Sequence, residues 1–376
     1  MKILVAADKF KGSLSSEAAC NCIAAGIRQV DASADVMEFP MADGGDGFAT
    51  VLQYYLDTQT VTCQTFDPLM RPMDASYQWD THSKTAIIEL AASSGLLLLS
   101  EQERNPLLTS TFGTGVLIKH AIDKGAEKIL LGLGGSATND AGTGILAALG
   151  FKLLDKAANV LTPNGESLQY IYSVISPAIK PDINFEIAVD VQNVLSGKNG
   201  AAFVYAAQKG ATVKDIFVLD KGLQNFARIV QSQTRKDIDG FSGAGAAGGV
   251  AAGLMAYFDV RVSSGAQLLI ERSSIKAQLK DCDLIITGEG KLDAQSLCGK
   301  VVAHIAKLAN QYHIPVIALC GSVDINQQQI NELGLLSAVG LADDSISEET
   351  ATNNAASLLK DLAAKVFSAF IQSSKK

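Results

Sequence analysis

Short apolar runs recur along this chain, each stopping at a polar or glycine-rich turn, with amphipathic stretches between them. The runs Ile3–Ala7, Ile129–Leu133, Phe185–Val189, Leu284–Thr287 and Val316–Leu319 read as strands. Ser13–Val30 reads as a helix, with Ala18, Ala19, Cys22, Ile23, Gly26, Ile27 and Val30 on one face. Ser13 is a suitable N-cap for it, and Glu17 sits near its positive end. Strands alternating with such helices form βαβ units, so the expected class is α/β with a mostly parallel sheet.

At 376 residues the chain is long for one ordinary α/β domain and comfortable for two. Both ends repeat the succession of strand, glycine turn and helix. The centre differs: residues 61–80 alternate in the β manner around the turn Asp67-Pro-Leu-Met-Arg-Pro72, and Gly240–Gly253 is almost free of side chains. The expectation is a doubly wound parallel-sheet domain from residues 1–60 and 280–376, with a mixed α/β domain of residues 61–279 inserted into it. There is no heptad, fixed-period repeat or long disordered linker.

Composition excludes some functions. Hydrophobic residues make up 48% and charged residues 19%, enough apolar material for a large core. The net charge is −8, with no basic run beyond Lys375-Lys376, which argues against a nucleic-acid partner. The six cysteines form no CxxC pair and read as small buried residues in a reducing compartment. The chain opens on a strand without a basic-then-apolar leader, and no apolar run approaches the roughly 20 residues of a membrane span. A soluble, cytoplasmic protein without a membrane partner is expected.

Ligands of open α/β sheets bind beyond the carboxyl ends of strands, so the polar turns there are the candidates. Asp8-Lys-Phe-Lys-Gly-Ser13 offers a carboxylate, two lysines and a helix start that suit an anion, or else a solvated turn. Ala42-Asp43-Gly44-Gly45-Asp46-Gly47 places carboxylates on a glycine backbone where Mg²⁺ can be held through oxygen, or where Asp46 merely caps a turn. The strongest signal is Gly132-Leu-Gly134-Gly135-Ser136-Ala-Thr138-Asn139-Asp140. Glycines let backbone N–H groups approach phosphate oxygens, and Ser136 and Thr138 add hydroxyls. It is neither a P-loop nor a complete dinucleotide fingerprint.

Asp190, ending an apolar run, can accept a hydroxyl proton or hold a metal. Lys198 and Lys209 lie downstream of it. The glycines of Gly243–Gly253, Gly245 and Gly248 among them, suit either an anion nest or very close helix packing. Thr287-Gly-Glu289-Gly-Lys291-Leu-Asp293 adds two carboxylates and a lysine in an expected strand-end loop. The four histidines fall in no catalytic-looking context, and no Gly-x-Ser-x-Gly elbow supports hydrolysis. Many phosphate-suited loops with several carboxylates point to metal-assisted phosphoryl transfer.

In order along nearly the whole chain, these segments resemble successive motifs of the bacterial glycerate kinase family, the type that includes glucarate- and glyoxylate-pathway enzymes. Besides the turns already quoted, the resemblance covers Glu89-x-Ala91-x-Ser93-Ser-Gly95-Leu96, Thr111-Phe-Gly-Thr-Gly115 and Gln208-Lys-Gly-Ala211. It implies transfer of the ATP γ-phosphate to the 2-hydroxyl of D-glycerate, giving 2-phosphoglycerate. It also implies a flavodoxin-like domain and one resembling a restriction-endonuclease core. Departures from the family pattern are Asp46 for Glu, Asn193-Val-Leu195 for Asn-Pro-Leu, Ala141 for Gly and Ser242 for Pro. None removes a charge.

The resulting expectation gives Asp190, Lys9 and Lys291 catalytic roles. Asp43, Glu289 and Asp293 are the pool of Mg²⁺ ligands. Asp8, Lys11, Ser13, Gly44, Gly45, Gly134, Gly135, Ser136, Thr138, Asn139, Gly245 and Gly248 would bind substrate or phosphate. ATP and Mg²⁺ are the expected cofactors and D-glycerate the substrate, in a monomer or homodimer. Another small-molecule kinase, or a hydroxy-acid-binding regulator without catalysis, is the alternative.

Overall fold

The computed structural model describes residues 1–44, 47–189, 191–294, 296, 299–342 and 346–374. Its strands are β1 Lys2–Ala7, β2 Asp35–Glu38, β3 Gln59–Phe66, β4 Pro72–Asp80, β5 Thr85–Glu89, β6 Lys128–Gly132, β7 Lys152–Leu154, β8 Ser173–Ile175, β9 Asn184–Ala188, β10 Asp259–Ser263, β11 Leu284–Leu292, β12 Val316–Val323 and β13 Ser337–Gly340. The chain divides into two units. One comprises Met1–Asp43, Thr50–Tyr55 and Ser264–Lys376; the other comprises Gly44–Ala49 and Leu56–Ser263. The helix Gly265–Arg272 groups with the first unit, ahead of the expected joint at 280.

The first unit holds a five-stranded sheet in the order β13-β12-β11-β1-β2, with all neighbours parallel. Successive strand residues face opposite sides. Ile3, Val5 and Ala7 therefore join Ile286 and Leu319 in a core with Ile23, Ile27, Leu359 and Phe367 of the helices Ser16–Val30 and Ala355–Ser374. Leu4 and Ile285 are equally buried, and the helix Val301–Asn310 packs on β11 and β1. Burial on both faces is why these strands read as unbroken apolar runs.

Ser15, not Ser13, caps the first helix, accepting from the Ala18 N–H at 3.2 Å. Residues 10–14 instead close a tight turn, in which the Ser13 hydroxyl donates to the Phe10 carbonyl at 3.1 Å. A second correction concerns Thr287–Asp293, which is strand as far as Leu292, because β11 stays in register with β12 through Lys291↔Ser322 and Leu292↔Val323. Glycine permits this: a β-carbon at Gly288 would lie 2.1 Å from the Leu319 carbonyl oxygen.

The second unit has a mixed six-stranded sheet, β10-β9-β6-β5-β4-β3, parallel from β10 to β5 and antiparallel beyond. The alternation expected at 61–80 is the β3–β4 pairing. Its core gathers Ile88, Leu131, Ile187, Leu117 and Phe226, and Phe185 meets Phe258 edge-on with ring centroids 5.1 Å apart. The helix Val250–Tyr257 lies almost backbone to backbone on residues 141–142, since a β-carbon at Gly253 would sit 1.8 Å from the Ala141 carbonyl oxygen. Close packing is therefore the structural use of this glycine. No helix among the described residues is long and apolar enough to cross a membrane.

Gly26 gives a test of the first unit. A β-carbon there would lie 2.2 Å from the Lys360 carbonyl oxygen. Helix propensity alone favours alanine by about 1 kcal/mol, but a backbone oxygen cannot swing aside as a side chain can. Gly26→Ala is expected to lower stability by about 1–3 kcal/mol in chemical denaturation; a gain in stability would show that the two helices separate at little cost.

Candidate active site

Because the strands of the first unit all run one way, the segments following β1, β2 and β12 and the distal part of β11 reach the same edge. A cavity of about 290 Å³ opens there, lined by Asp8, Lys9, Lys11, Ser13, Asp43, Glu289, Lys291 and Lys300 together with Glu348 and Thr352 of the helix Glu348–Asn353. Seven expected residues are thereby brought together: Asp8, Lys9, Lys11, Ser13, Asp43, Glu289 and Lys291.

Asp8 is 4% exposed; its N–H bonds the Gly288 carbonyl at 2.8 Å, and its Oδ1 accepts from the Lys9 N–H at 2.6 Å. Burial raises its pKa to about 8, helped by the charges of Asp43 and Glu289. Gly290 lets the turn approach β11, since a β-carbon there would be 3.0 Å from the Lys11 nitrogen. Glu289, projecting from β11, is 5% exposed, and its Oε1 has no hydrogen-bond partner. Burial raises its pKa to about 7, with Ser296 and Lys300 pulling the other way.

Two acids buried within reach of a third cost stability unless a cation meets them. The chemistry of this donor set suits a hard cation such as Mg²⁺, which takes oxygen ligands and uses one or two carboxylates alongside phosphates and water. No group of three or more His, Cys, Asp or Glu among the described residues is arranged as an all-protein metal cage. Asp293 lies beside the cavity in a turn with Ser296, whose hydroxyl accepts from the Asp293 N–H at 3.2 Å. Lys291 forms an ion pair with Asp324 at 2.6 Å, both half exposed.

In the second unit the candidates Gly134, Gly135, Ser136, Thr138 and Asn139 follow the carboxyl end of β6. The loop after β6 is anchored by Ala137 N–H to the Ser94 carbonyl at 2.9 Å and by the Thr109 hydroxyl to the Ala137 carbonyl at 2.9 Å. Gly135 takes a left-handed φ of 67° at the exposed tip, next to half-exposed Ser136. Thr138 and Asn139 are fully buried, and neither the Thr138 hydroxyl nor either end of the Asn139 amide has a hydrogen-bond partner. Asp140 is held by the Thr111 N–H and hydroxyl, both at 2.8 Å, and by the N–H groups of Gly142 and Gly144; burial still pushes its pKa up.

Gly248 packs on this loop, where a β-carbon would be 2.3 Å from the Thr138 carbonyl oxygen, and its own carbonyl accepts from Ala141. Gly245 bonds the Asn193 carbonyl, and Gly44 lies over Gly132 at the end of β6. Gly45 and Asp190 lie outside the described residues; Asp190 follows Val189 just beyond β9.

Sequence reasoning missed Lys300 and noted Lys209 without giving it a site role. Lys300 is the N-cap of the helix Val301–Asn310, where a cation opposes the helix dipole. That misfit, after Gly299, was its signal. Lys209 is buried, and its Nζ donates to the Ser136 hydroxyl and the Thr138 carbonyl, both at 2.7 Å. Nothing local in the sequence announces a buried lysine.

Residues 3–371 match the model of the glycerate kinase family. A glycerate kinase of Halalkalibacterium halodurans is 38% identical over 367 residues, 97% of each chain. A glycerate 2-kinase of Escherichia coli K12 is 37% identical, covering 92% of this chain and 93% of its own. A crystal structure from Salmonella typhimurium LT2, provisionally named glycerate kinase 2, aligns over the whole of both chains with a TM-score of 0.86 at 34% identity. A family match over residues 3–371, with a glycerate kinase 38% identical over 97% of the chain, makes this chain a member of the glycerate kinase family.

Proposed function

We propose that the chain is an ATP-dependent kinase of D-glycerate that forms 2-phosphoglycerate and ADP. The observation that carries this reading is the cavity where Asp8, Asp43 and Glu289 meet Lys9, Lys11 and Lys300 at the carboxyl edge of the parallel sheet. Phosphoryl transfer needs positioning and charge neutralisation more than a nucleophilic side chain. The E. coli relative's name supports the 2-hydroxyl, and unpaired Cys20, Cys22, Cys63, Cys282 and Cys320 suit the reducing cytoplasm.

Glu289 and Asp43 would hold Mg²⁺, with Asp293 in reserve; when bound, the ion neutralises phosphate charge. Lys9, Lys11 and Lys300 attract phosphate oxygens to the rim, and Lys291, tied to Asp324, orients there as a second line of positive charge. Ser13 and the buried Asp8 shape the floor. In the second unit the Gly134–Asn139 loop offers N–H and O–H donors to an oxyanion, with Gly248 packed on it and Gly44 over the neighbouring Gly132. Asp190 takes the proton of the substrate hydroxyl.

Three measurements test this. Incubation with D-glycerate, ATP and Mg²⁺ should give a product whose ³¹P–¹H coupling shows phosphate on the secondary carbon. A primary phosphate would move the assignment to the 3-hydroxyl, and no product would end the kinase reading. Asp190→Asn should keep the fold and lower kcat by about two to four orders of magnitude; near-normal turnover would remove Asp190 from the chemistry.

The third concerns pH. Glu289 holds a cation only when ionised, and its pKa is raised to about 7. As pH falls below 7, protons compete for the carboxylate, so the Mg²⁺ concentration for half-maximal rate should rise, by about tenfold per unit once the group is mostly neutral. In Glu289→Gln that concentration should be high at every pH and nearly flat. An unchanged slope would take Glu289 out of the ligand set.

A further inference from the structure

Lys209 has no role in the reading above, yet the second unit is built around it. Its backbone closes the short turn Ala207–Lys209 and is locked from behind by Gly210, at φ 95°, where a β-carbon would meet the Arg104 carbonyl oxygen at 2.2 Å. Its side chain is locked in front by the two 2.7 Å bonds to the Ser136 hydroxyl and the Thr138 carbonyl. Among the described residues no carboxylate pairs with its Nζ; Asp140 attracts it only from a distance and is already satisfied by Thr111, Gly142 and Gly144. Burial accordingly lowers its pKa to about 7.

A cation buried without an ion pair weakens the fold. Fastening a loop does not require a charge, since a neutral donor would serve. The charge has an outlet, however. Ser136 accepts from the ammonium, which leaves its own O–H proton to donate, and Ser136 is half exposed beside the exposed, left-handed Gly135. A hydroxyl polarised by a cation behind it is a stronger donor, and it stands next to the backbone N–H groups of a glycine turn, groups that suit an anion. Thr138 and Asn139, buried with unpartnered polar atoms, show that the same loop is held in a form its own hydrogen bonds do not explain.

We propose that Lys209 is a positioning residue: it aims the Ser136 hydroxyl and the Gly134–Ser136 turn at a bound oxyanion, either the carboxylate of the acid substrate or a phosphate of the nucleotide. Only the identity of the oxyanion rests on the kinase reading.

The test uses the full chain with Lys209→Met, Ser136→Ala and the double variant. Steady-state kinetics and calorimetric titration are run with D-glycerate, ATP–Mg²⁺ and inorganic phosphate. Lys209→Met should weaken one of D-glycerate and ATP by about tenfold or more while the other stays within about twofold. Ser136→Ala should weaken the same ligand, and the double variant should be no worse than Lys209→Met alone. A rise for the carboxylate alone and a rise for the nucleotide alone identify the oxyanion. Equal loss for both ligands, no loss, or additive losses would overturn the proposal. If Lys209→Met does not fold, Ser136→Ala decides by the same selectivity. If the wild type does not turn over D-glycerate, the kinase reading fails by itself. Titration with ATP–Mg²⁺ and phosphate then decides: weakening of about tenfold in Lys209→Met upholds the role, and unchanged binding, or none by the wild type, ends it.

Discussion

The register of β1 against β11 is the interaction on which the first unit depends. Ile3 faces Leu284 and Ala7 faces Gly288, so the first strand of the chain lies beside one from its last quarter, with both pointing the same way. Parallel direction puts Asp8 and Glu289 at one edge, and glycine at 288 and 290 lets the Phe10–Lys11 turn close upon them. Without this pairing the two acids would sit far apart in the chain with no reason to meet. The long excursion between the two strands is the second unit, which carries its own mixed sheet and core.

The electrostatics of the two units are opposite in sign and alike in logic. In the first, burial and neighbouring carboxylates push the pKa values of Asp8 and Glu289 up, while Lys9 and Lys300 pull them the other way. In the second, Asp140 is saturated by four donors while Lys209 is buried with hydroxyl and carbonyl oxygens as its partners. Each arrangement costs folding energy, and in each case the misfit lies at a strand's carboxyl end, where α/β proteins bind ligands.

Much of this was legible in the sequence, because buried parallel strands leave unbroken apolar runs. The five runs expected as strands correspond to β1, β6, β9, β11 and β12, and the turns after β1 and β6 supplied Asp8, Lys9, Lys11 and Ser136 as candidates. Local reading failed where a distant neighbour decided the outcome. Ser13 looks as good a cap as Ser15, but the Phe10–Leu14 turn claims it. Glu289-Gly-Lys291 looks like a loop, because only pairing with β12 makes it strand. The glycines near 250 could not be divided between nest and packing until the Ala141 carbonyl was seen against Gly253.

Lys209 marks the limit of such reading more sharply. In sequence it is one lysine in a Gln-Lys-Gly turn, indistinguishable from Lys198 in Gly-Lys-Asn-Gly. What separates them is tertiary: Arg104 behind Gly210 and Ser136 ahead of the ammonium, both remote along the chain. Motif resemblance could draw attention to the turn without saying what the lysine does, since a motif records residue types and not their partners. A charge's role is set by the groups it faces and by how much water remains around it. For a family whose chemistry rests on placing charges, the most informative residues are therefore those whose surroundings contradict their type.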